Sequence, residues 1–218
     1  MSELRRLMMA KKLGGGLPSG VVLYDRLIGD GVAYIDTGLV FTNDDILRIA
    51  FGKVTMNKSA YHLFGASSND DRQRIQWAST GTAYISMLSQ ERQATSVNIK
   101  DDVTIEFGTL KTSSSWNIFA KYNDRVVYNE SFSPFGLRTA ERTFLLFANR
   151  QNGSTAINTN RNPCEIKYMD VLDAWDTSIV KYYFHPCTYN GVAGMWDMVN
   201  NVFHGNANTS GSFSVANN

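Results

Sequence analysis

The sequence predicts an all-β protein, and two observations carry this prediction. From residue 20 onward, apolar and polar residues alternate with a period of two, the pattern of strands with one buried face. About a dozen such runs follow one another at spacings of roughly 8–12 residues, which is typical of a β-sandwich or barrel. No segment after residue 20 keeps a helical period for three turns.

Three runs show the alternation most clearly. Residues 47–51, 103–107 and 116–120 place an apolar residue at every second position, so we expect strands that turn one face to the core. Two other runs, residues 143–148 and 179–184, are apolar on both faces, which favours central strands covered on two sides.

Two dipeptides predict hairpin turns between such runs. Asn123-Asp124 separates one pair of strands, and Asn190-Gly191 separates another near the C-terminus. Asn, Asp and Gly tolerate the positive φ that tight hairpin turns require. Further strands are expected at residues 202–204 and 212–215.

Composition excludes several classes of protein. A net charge of +1 over 218 residues argues against a broad nucleic-acid interface. The longest apolar run, residues 144–148, is too short to span a membrane, and the N-terminus lacks the apolar centre of a secretory signal. Cys164 and Cys187 allow one disulfide, but we expect buried free thiols, since a domain of this size needs no cross-link.

Residues 1–19 stand apart from the domain predicted over residues 20–218. Leu4, Leu7 and Met8 have helical spacing beside basic residues, and the Gly-rich stretch at 14–16 ends any helix. Such a segment is either a frayed tail or a docking peptide that folds on a partner. We expect the docking segment, followed by a Gly-rich linker.

Three motifs carry a resemblance to a known family. They are AYIDTGLVF at residues 33–41, FLLFANRQNG at 144–153, and YYFHPCTYNGVAGMWDMVNNVFHGNANTSGSF at 182–213. Together they resemble the laminin-G-like, concanavalin A-like jelly-roll module of tailed-bacteriophage virion proteins. The LRRLMMAKK opening, the Gly run and LPSG are similar to such proteins as well. Residues 55–140 carry no motif of the family.

The resemblance implies an antiparallel jelly-roll β-sandwich with a short N-terminal extension. It implies a non-enzymatic virion structural protein, a fibre, decoration or tail component, assembled in the host cytoplasm without a signal peptide. The N-terminal segment would dock on other virion proteins, and a homo-oligomer is expected, without a cofactor. The alternative is a carbohydrate-binding adhesin or receptor-binding lectin module for a cell-surface glycan.

Catalytic and metal-binding patterns are weak. A glycoside hydrolase needs two carboxylates flanking the scissile bond, and the nearest string offers Glu165 and Asp170, with Lys167 where a central carboxylate would stand. Five positions apart, the two acids are expected on opposite strand faces, so no enzyme is predicted.

The histidines at 62, 185 and 204 share no ligand spacing, and no metal site is expected. The Asn69–Asp71 segment remains open between a turn and a calcium loop.

Glycan binding points to aromatic residues. Sugars stack on exposed rings and bond to polar side chains, which makes Trp77, Trp175, Trp196 and Tyr189 candidates, although a Trp in a sandwich is commonly a core residue. Trp77 with its neighbour Gln76, downstream of a polar loop, is the favoured pair, together with Tyr189. Asp36 and Asp197 are interpreted as turn-forming residues rather than ligands.

Overall fold

A computed structural model describes residues 16–54, 62–66, 73–77, 83–87, 90–94, 102–132, 139–140, 142–150, 157–159 and 163–217. Throughout these residues the protein is all-β, as predicted, and they contain no helix that could cross a membrane. The docking candidates Leu4, Leu7 and Met8, and the Asn69–Asp71 segment, lie outside the described residues.

The described residues form nineteen strands. They are β1 (Val21–Leu23), β2 (Arg26–Gly29), β3 (Ile35–Asp36), β4 (Asp45–Val54), β5 (His62–Ala66), β6 (Gln73–Trp77), β7 (Ala83–Met87), β8 (Gln90–Ala94), β9 (Val103–Lys111), β10 (Trp116–Tyr122), β11 (Arg125–Phe132), β12 (Leu145–Leu146), β13 (Ala148–Arg150), β14 (Ile157–Thr159), β15 (Cys164–Asp173), β16 (Val180–Tyr189), β17 (Val192–Asp197), β18 (Val202–His204) and β19 (Phe213–Ala216).

Eleven of the described strands form one antiparallel sheet, the large sheet. Its path is β11-β10-β9-β4-β15-β16-β17-β18, with β1 pairing β16, β2 pairing β15, and β19 pairing β2. Six other strands form the small sheet in the order β14-β13-β5-β6-β7-β8, and β12 pairs with β3. In the small sheet β13 and β5 run parallel, so the expectation of an antiparallel sandwich does not hold for this pair. Because β4 lies between β9 and β15, segments far apart in sequence become neighbours.

One hydrophobic core joins the large sheet to the two smaller ones. Phe51 of β4 meets Phe64 of β5 edge to face, with ring centroids 5.1 Å apart. Ile35 and Leu146, from the β3–β12 pair, belong to the same cluster. The alternating positions predicted to point inward do so, namely Leu47, Ile49, Phe51, Val103, Ile105, Phe107, Ile118 and Ala120.

Both predicted hairpin turns are confirmed. Asn123 and Asp124 have φ of 46° and 64° between β10 and β11, and Asn190 and Gly191 have φ of 50° and 82° between β16 and β17. These dihedrals are those of the two-residue turns whose twist matches paired strands. The Asn-Asp and Asn-Gly dipeptides therefore predict both hairpin turns correctly.

The run at residues 143–148 is not the single central strand that its composition predicts. Phe147 has a φ of 64°, which ends β12 and starts β13 in a different sheet. The buried Phe147 ring packs on Phe213 with centroids 5.0 Å apart, so core contacts offset this uncommon backbone conformation. The run at 179–184 is confirmed as central, because β16 lies between β15 and β17.

Both cysteines are free and buried, as predicted. Cys164 belongs to the main core, whereas Cys187 lies in a satellite cluster with Tyr183, Trp196 and Met198. Burial raises the pKa of the Cys187 thiol to about 12, so this thiol is protonated at neutral pH.

Candidate functional site

The side of the large sheet that points away from the main core, its outer face, carries a row of paired charges. Residues paired on neighbouring strands point to the same side of a sheet, so the register defines this face row by row. The first row, the charged row, crosses five strands from β15 to β11 and contains Asp170, Arg48, Glu106, Lys121 and Val126.

The four charges of this row alternate in sign and bond to one another. Arg48 makes two hydrogen bonds to the buried carboxylate of Asp170, one of them 2.9 Å from Nε to Oδ1. Lys121 Nζ donates to Glu106 Oε1 at 2.8 Å, and Arg48 Nη1 lies 3.7 Å from Glu106 Oε2. Burial alone would lower the pKa of Arg48, but the hydrogen bond and negative charge of Asp170 raise it above its ordinary value. The row therefore has no net charge.

The second row is largely apolar and has a gap at its centre. It contains Leu172, Ile46, Gly108, Phe119 and Asn129, and a Cβ at Gly108 would lie 2.7 Å from Cγ1 of Ile46. Glycine is therefore needed for the two strands to pack closely here. Three of these side chains form a small cluster of their own on the outer face, Ile46, Phe119 and Leu172.

A third row completes the surface with Leu110, Asn117 and Ser131. The Ser131 hydroxyl donates to Asn117 Oδ1 at 2.7 Å, which fixes the orientation of this amide. Leu110 is 40% exposed, so the row offers both a fixed polar group and an apolar contact.

A pocket of about 410 Å³ opens over the three rows. Rows are about 7 Å apart along the strands and strands about 4.8 Å apart, so three rows on five strands span roughly 14 by 19 Å. The volume is in the range of small-molecule sites. Its lining is Arg48, Glu106, Leu110, Asn117, Phe119, Lys121, Val126, Asn129, Leu172 and Thr177.

The pocket lining combines hydrogen-bonding groups with apolar surface. Arg48, Lys121 and the amides supply donors, whereas Glu106 supplies acceptor oxygens beside them. Leu110 and Val126, 40% and 53% exposed, supply apolar surface next to these polar groups. Both lining cations are paired with carboxylates, so the pocket offers little net attraction to an anion.

The favoured sequence candidates lie elsewhere. Tyr189 is on the outer face at the far end of β16, where its ring packs on Trp196 at 5.6 Å and on Phe203 at 5.5 Å. Gln76 and Trp77 belong to β6 of the small sheet, paired with Tyr84 and Ala83, and their side chains are outside the described part of the chain. The structure therefore does not bring these three residues together with the pocket.

The other two tryptophans behave differently from each other. Trp196 is 4% exposed within the satellite cluster, in agreement with a core role. Trp175, in the loop between β15 and β16, is 54% exposed.

Sequence reasoning missed the pocket residues, although the period of two places Arg48, Glu106 and Lys121 at the outward positions of predicted strands.

The argument that Glu165 and Asp170 point to opposite faces is wrong. Irregularities in the β15–β4 register near residue 167 reverse the alternation, so that Ile166 and Met169, three positions apart, both enter the main core. Glu165 and Asp170 thus share the outer side, but five residues of strand separate them by about 16 Å. Each binds its own arginine, Glu165 with Arg26 at 3.2 Å and Asp170 with Arg48.

The turn assignments are confirmed. Asp36 Oδ1 accepts a hydrogen bond from the Gly38 amide at 3.0 Å. Asp197 Oδ1 accepts from the Val199 amide at 3.0 Å, and its carboxylate also holds Asn200. Among the described residues, no group of three or more His, Cys, Asp or Glu side chains is placed to hold a metal ion.

No protein-family model matches the chain, and no curated protein matches it either. The resemblance to bacteriophage modules therefore depends on the sequence motifs alone.

Proposed function

We propose that this chain is a non-enzymatic structural and attachment module whose outer-face pocket binds a neutral saccharide. The observation that carries the proposal is the charged row, in which Asp170, Arg48, Glu106 and Lys121 alternate in sign and cancel. Saccharide hydroxyl groups both donate and accept hydrogen bonds, so they match an alternating row. A phosphate-rich ligand would instead need a surplus of cations.

The apolar part of the lining supports the same ligand class. A pyranose ring has a C–H face besides its hydroxyl groups, and Leu110 and Val126 offer exposed apolar surface beside the polar groups. Asn117 and Asn129 add amides of the kind that fix ligand orientation in concave sites.

A binding role fits the carboxylates better than a catalytic one. Glycoside hydrolysis uses two carboxyl groups about 5–9.5 Å apart, one of which gives a proton to the leaving group. Glu106 is already bonded to Lys121 and close to Arg48, and Asp170 is bonded to Arg48. Both acids thus serve the ion-pair row, and neither is placed as a proton donor.

The proposed architecture is an antiparallel jelly-roll sandwich of the concanavalin A-like class. In its support, the large and small sheets share one core, and β4 lies between β9 and β15, a non-sequential order of the kind that Greek-key connections produce. A crystal structure in which the large and small sheets do not lie face to face would contradict it.

The proposed setting is a tailed-bacteriophage virion, in a fibre, decoration or tail component. It is supported by the motifs at residues 33–41, 144–153 and 182–213, and the segment at 1–19 would dock on other virion proteins. Mass spectrometry of purified virions from a phage that encodes this chain should detect its peptides. Virions free of the chain would contradict the setting without affecting the pocket.

A glycan array tests the pocket directly. The full chain should bind a subset of neutral glycans, and Lys121→Met and Asn129→Ala should each weaken binding about tenfold, the effect of losing one good polar contact. Asn217→Ala is the matched control, because Asn217 is exposed and lies beyond β19, away from the pocket strands. Equal binding by all four proteins would refute the proposed site.

A further inference from the structure

Leu110 and Asn117 form a directly opposed pair in the third row of the pocket, away from the charged row. The register places Leu110 of β9 opposite Asn117 of β10, and both residues belong to the pocket lining. Both point to the outer face, because Phe119 and Lys121 of the same lining follow Asn117 by two and four positions along β10. The Cβ atoms of such a pair are about 5 Å apart. An apolar side chain and an amide therefore lie side by side at this end of the pocket.

The amide of Asn117 has a fixed orientation. The Ser131 hydroxyl donates to its Oδ1 at 2.7 Å, so Nδ2 is the atom with which this side chain can donate to a ligand. A donor that is oriented before the ligand arrives loses less conformational entropy on binding.

Leu110 supplies an apolar surface next to this donor. Its side chain is 40% exposed, whereas Val126, the other exposed aliphatic residue of the lining, lies in the charged row on β11. An exposed leucine by itself is ordinary on a protein surface. The informative feature is that this apolar surface lies beside an oriented hydrogen-bond donor within one pocket.

The Leu110–Asn117 pair favours one kind of sugar substituent. A hydroxyl group could accept from Asn117 Nδ2 but would leave Leu110 uncovered, and the methyl group of a deoxy sugar would cover Leu110 but accept no hydrogen bond. An acetamido group carries a carbonyl oxygen and a methyl group on the same carbon atom, so it can do both at once. It is also uncharged, in keeping with the cancelling charges of the charged row.

The spacing of the rows allows one sugar ring to use this pair and the charged row together. Successive rows are about 7 Å apart along the strands. Lys121 Nζ lies 5.1 Å from the ring centroid of Phe119, so these two side chains bridge the first and second rows. A pyranose ring over the second row would therefore reach the Lys121 ammonium group on one side and the Leu110–Asn117 pair on the other.

We propose that the pocket selects N-acetylated amino sugars and that the Leu110–Asn117 pair is the subsite for the acetamido group. The carbonyl oxygen accepts from Asn117 Nδ2, and the methyl group packs on the Leu110 side chain. This inference rests on the proposed saccharide function of the pocket. It adds the class of saccharide and two residues that select for it.

The test uses a glycan array printed with matched pairs of neutral glycans that differ only in an acetamido group in place of a hydroxyl group, such as chitotriose with cellotriose. The full chain should bind the N-acetylated member at least about tenfold more tightly. Leu110→Ala and Asn117→Asp should each lower this preference about fivefold, the effect of losing a methyl contact or one hydrogen bond. Asn117→Asp keeps an acceptor for Ser131 and removes only the donor.

Two further variants serve as controls. Lys121→Met should weaken binding of both members of a pair by a similar factor and so leave the preference unchanged, because Lys121 lies outside the acetamido subsite. Val192→Ala should leave both affinities unchanged, because Val192 is an aliphatic residue, 56% exposed, on β17 and outside the pocket lining. Circular dichroism and thermal melting of each variant exclude loss of folding as the cause.

The outcomes separate the two proposals. If the full chain binds both members of each pair equally, or prefers the member without the acetamido group, the subsite is refuted and the pocket stands. A preference for N-acetylated glycans that survives unchanged in both Leu110→Ala and Asn117→Asp would refute this placement of the acetamido group. If the unchanged protein binds no neutral glycan, both proposals are refuted.

Discussion

The ion pair of Arg48 with Asp170 links the outer face to the stability of the fold. The Asp170 side chain is 1% exposed, so Arg48→Met would leave a buried carboxylate without its cation. We expect a loss of about 3–5 kcal/mol in the free energy of unfolding, measured with urea. The double variant Arg48→Met with Asp170→Leu should recover most of it, because buried ion pairs tolerate apolar replacement. A double variant no more stable than the single one would show that the two sites are not coupled.

His204 should make stability depend on pH. Burial lowers the pKa of His204 below its ordinary 6.5, and this outweighs the bond to the Asp36 backbone and the charges of Asp36 and Asp197. The unfolded chain then takes up a proton before the folded one does. We therefore expect the free energy of unfolding to fall as pH drops below about 6.5 and to level off once the pH has passed the lowered folded-state pKa.

The control for this pH effect is His204→Gln, which removes the titrating group. Its unfolding free energy should be nearly flat over the same pH window. A slope that persists in this variant would show that a group other than His204 causes the effect.

At the level of single residues, the sequence indicates which positions face outward but not what they meet. Arg48, Glu106 and Lys121 occupy the outward positions of strands that alternation predicts correctly. Their contact depends on β4 and β9 being neighbours, and no local property of either strand encodes that pairing. The prediction that Asp170 and Glu165 lie on opposite faces fails for a related reason. A register irregularity in β15 reverses the alternation of side chains between the two residues.

The hairpin of β16 and β17 is the element whose sequence code is clearest, and two glycines in it test different physical effects. Gly191 has a φ of 82° and no atom within 4 Å of an added Cβ, so Gly191→Ala should cost about 1–2 kcal/mol through backbone strain alone. A Cβ at Gly194 would collide with the His204 carbonyl oxygen and lie 2.8 Å from the Phe203 ring. Gly194→Ala should therefore cost about 2–3 kcal/mol by overpacking.

Thermal melting of both variants measures these costs. We expect Gly194→Ala to lose more stability than Gly191→Ala. The opposite order would mean that β18 can shift away from β17 at little cost and so relieve the collision at Gly194. Strand order, in contrast to such turns, could not be read from the sequence. The interruption of residues 143–148 at Phe147 shows why: packing against Phe64 and Phe213 decides it, and both partners are distant in the chain.

For the whole molecule, the prediction concerns the independence of the N-terminal segment. Residues 1–16 precede Leu17, which packs on the satellite cluster, and Val21, where β1 begins. A chain lacking residues 1–16 should keep its melting temperature within a few degrees, because the Gly run at 14–16 separates the segment from the domain predicted over residues 20–218. It should fail to join its particle or oligomer if the segment docks on a partner.

One result of this truncation would contradict the domain division, and another would contradict the docking role. Unfolding would mean that the segment belongs to the core, and normal assembly would mean that it is only a tail. The all-β class of the described residues was predictable because period-two alternation recurs along the chain. The division into a large and a small sheet was not, since it depends on pairings between distant strands.

Because both cysteines are buried, the rate at which they react with a thiol reagent should measure how often the protein opens locally. Cys164 and Cys187 are 1% and 0% exposed, and a thiol with a pKa of about 12 supplies almost no thiolate to an alkylating reagent at neutral pH. Labelling with iodoacetamide should thus proceed only through opened molecules, and its rate should report how often the two clusters open. Since the cysteines lie in different clusters, unequal labelling rates, read by mass spectrometry, would reveal that the main core and the satellite cluster open separately.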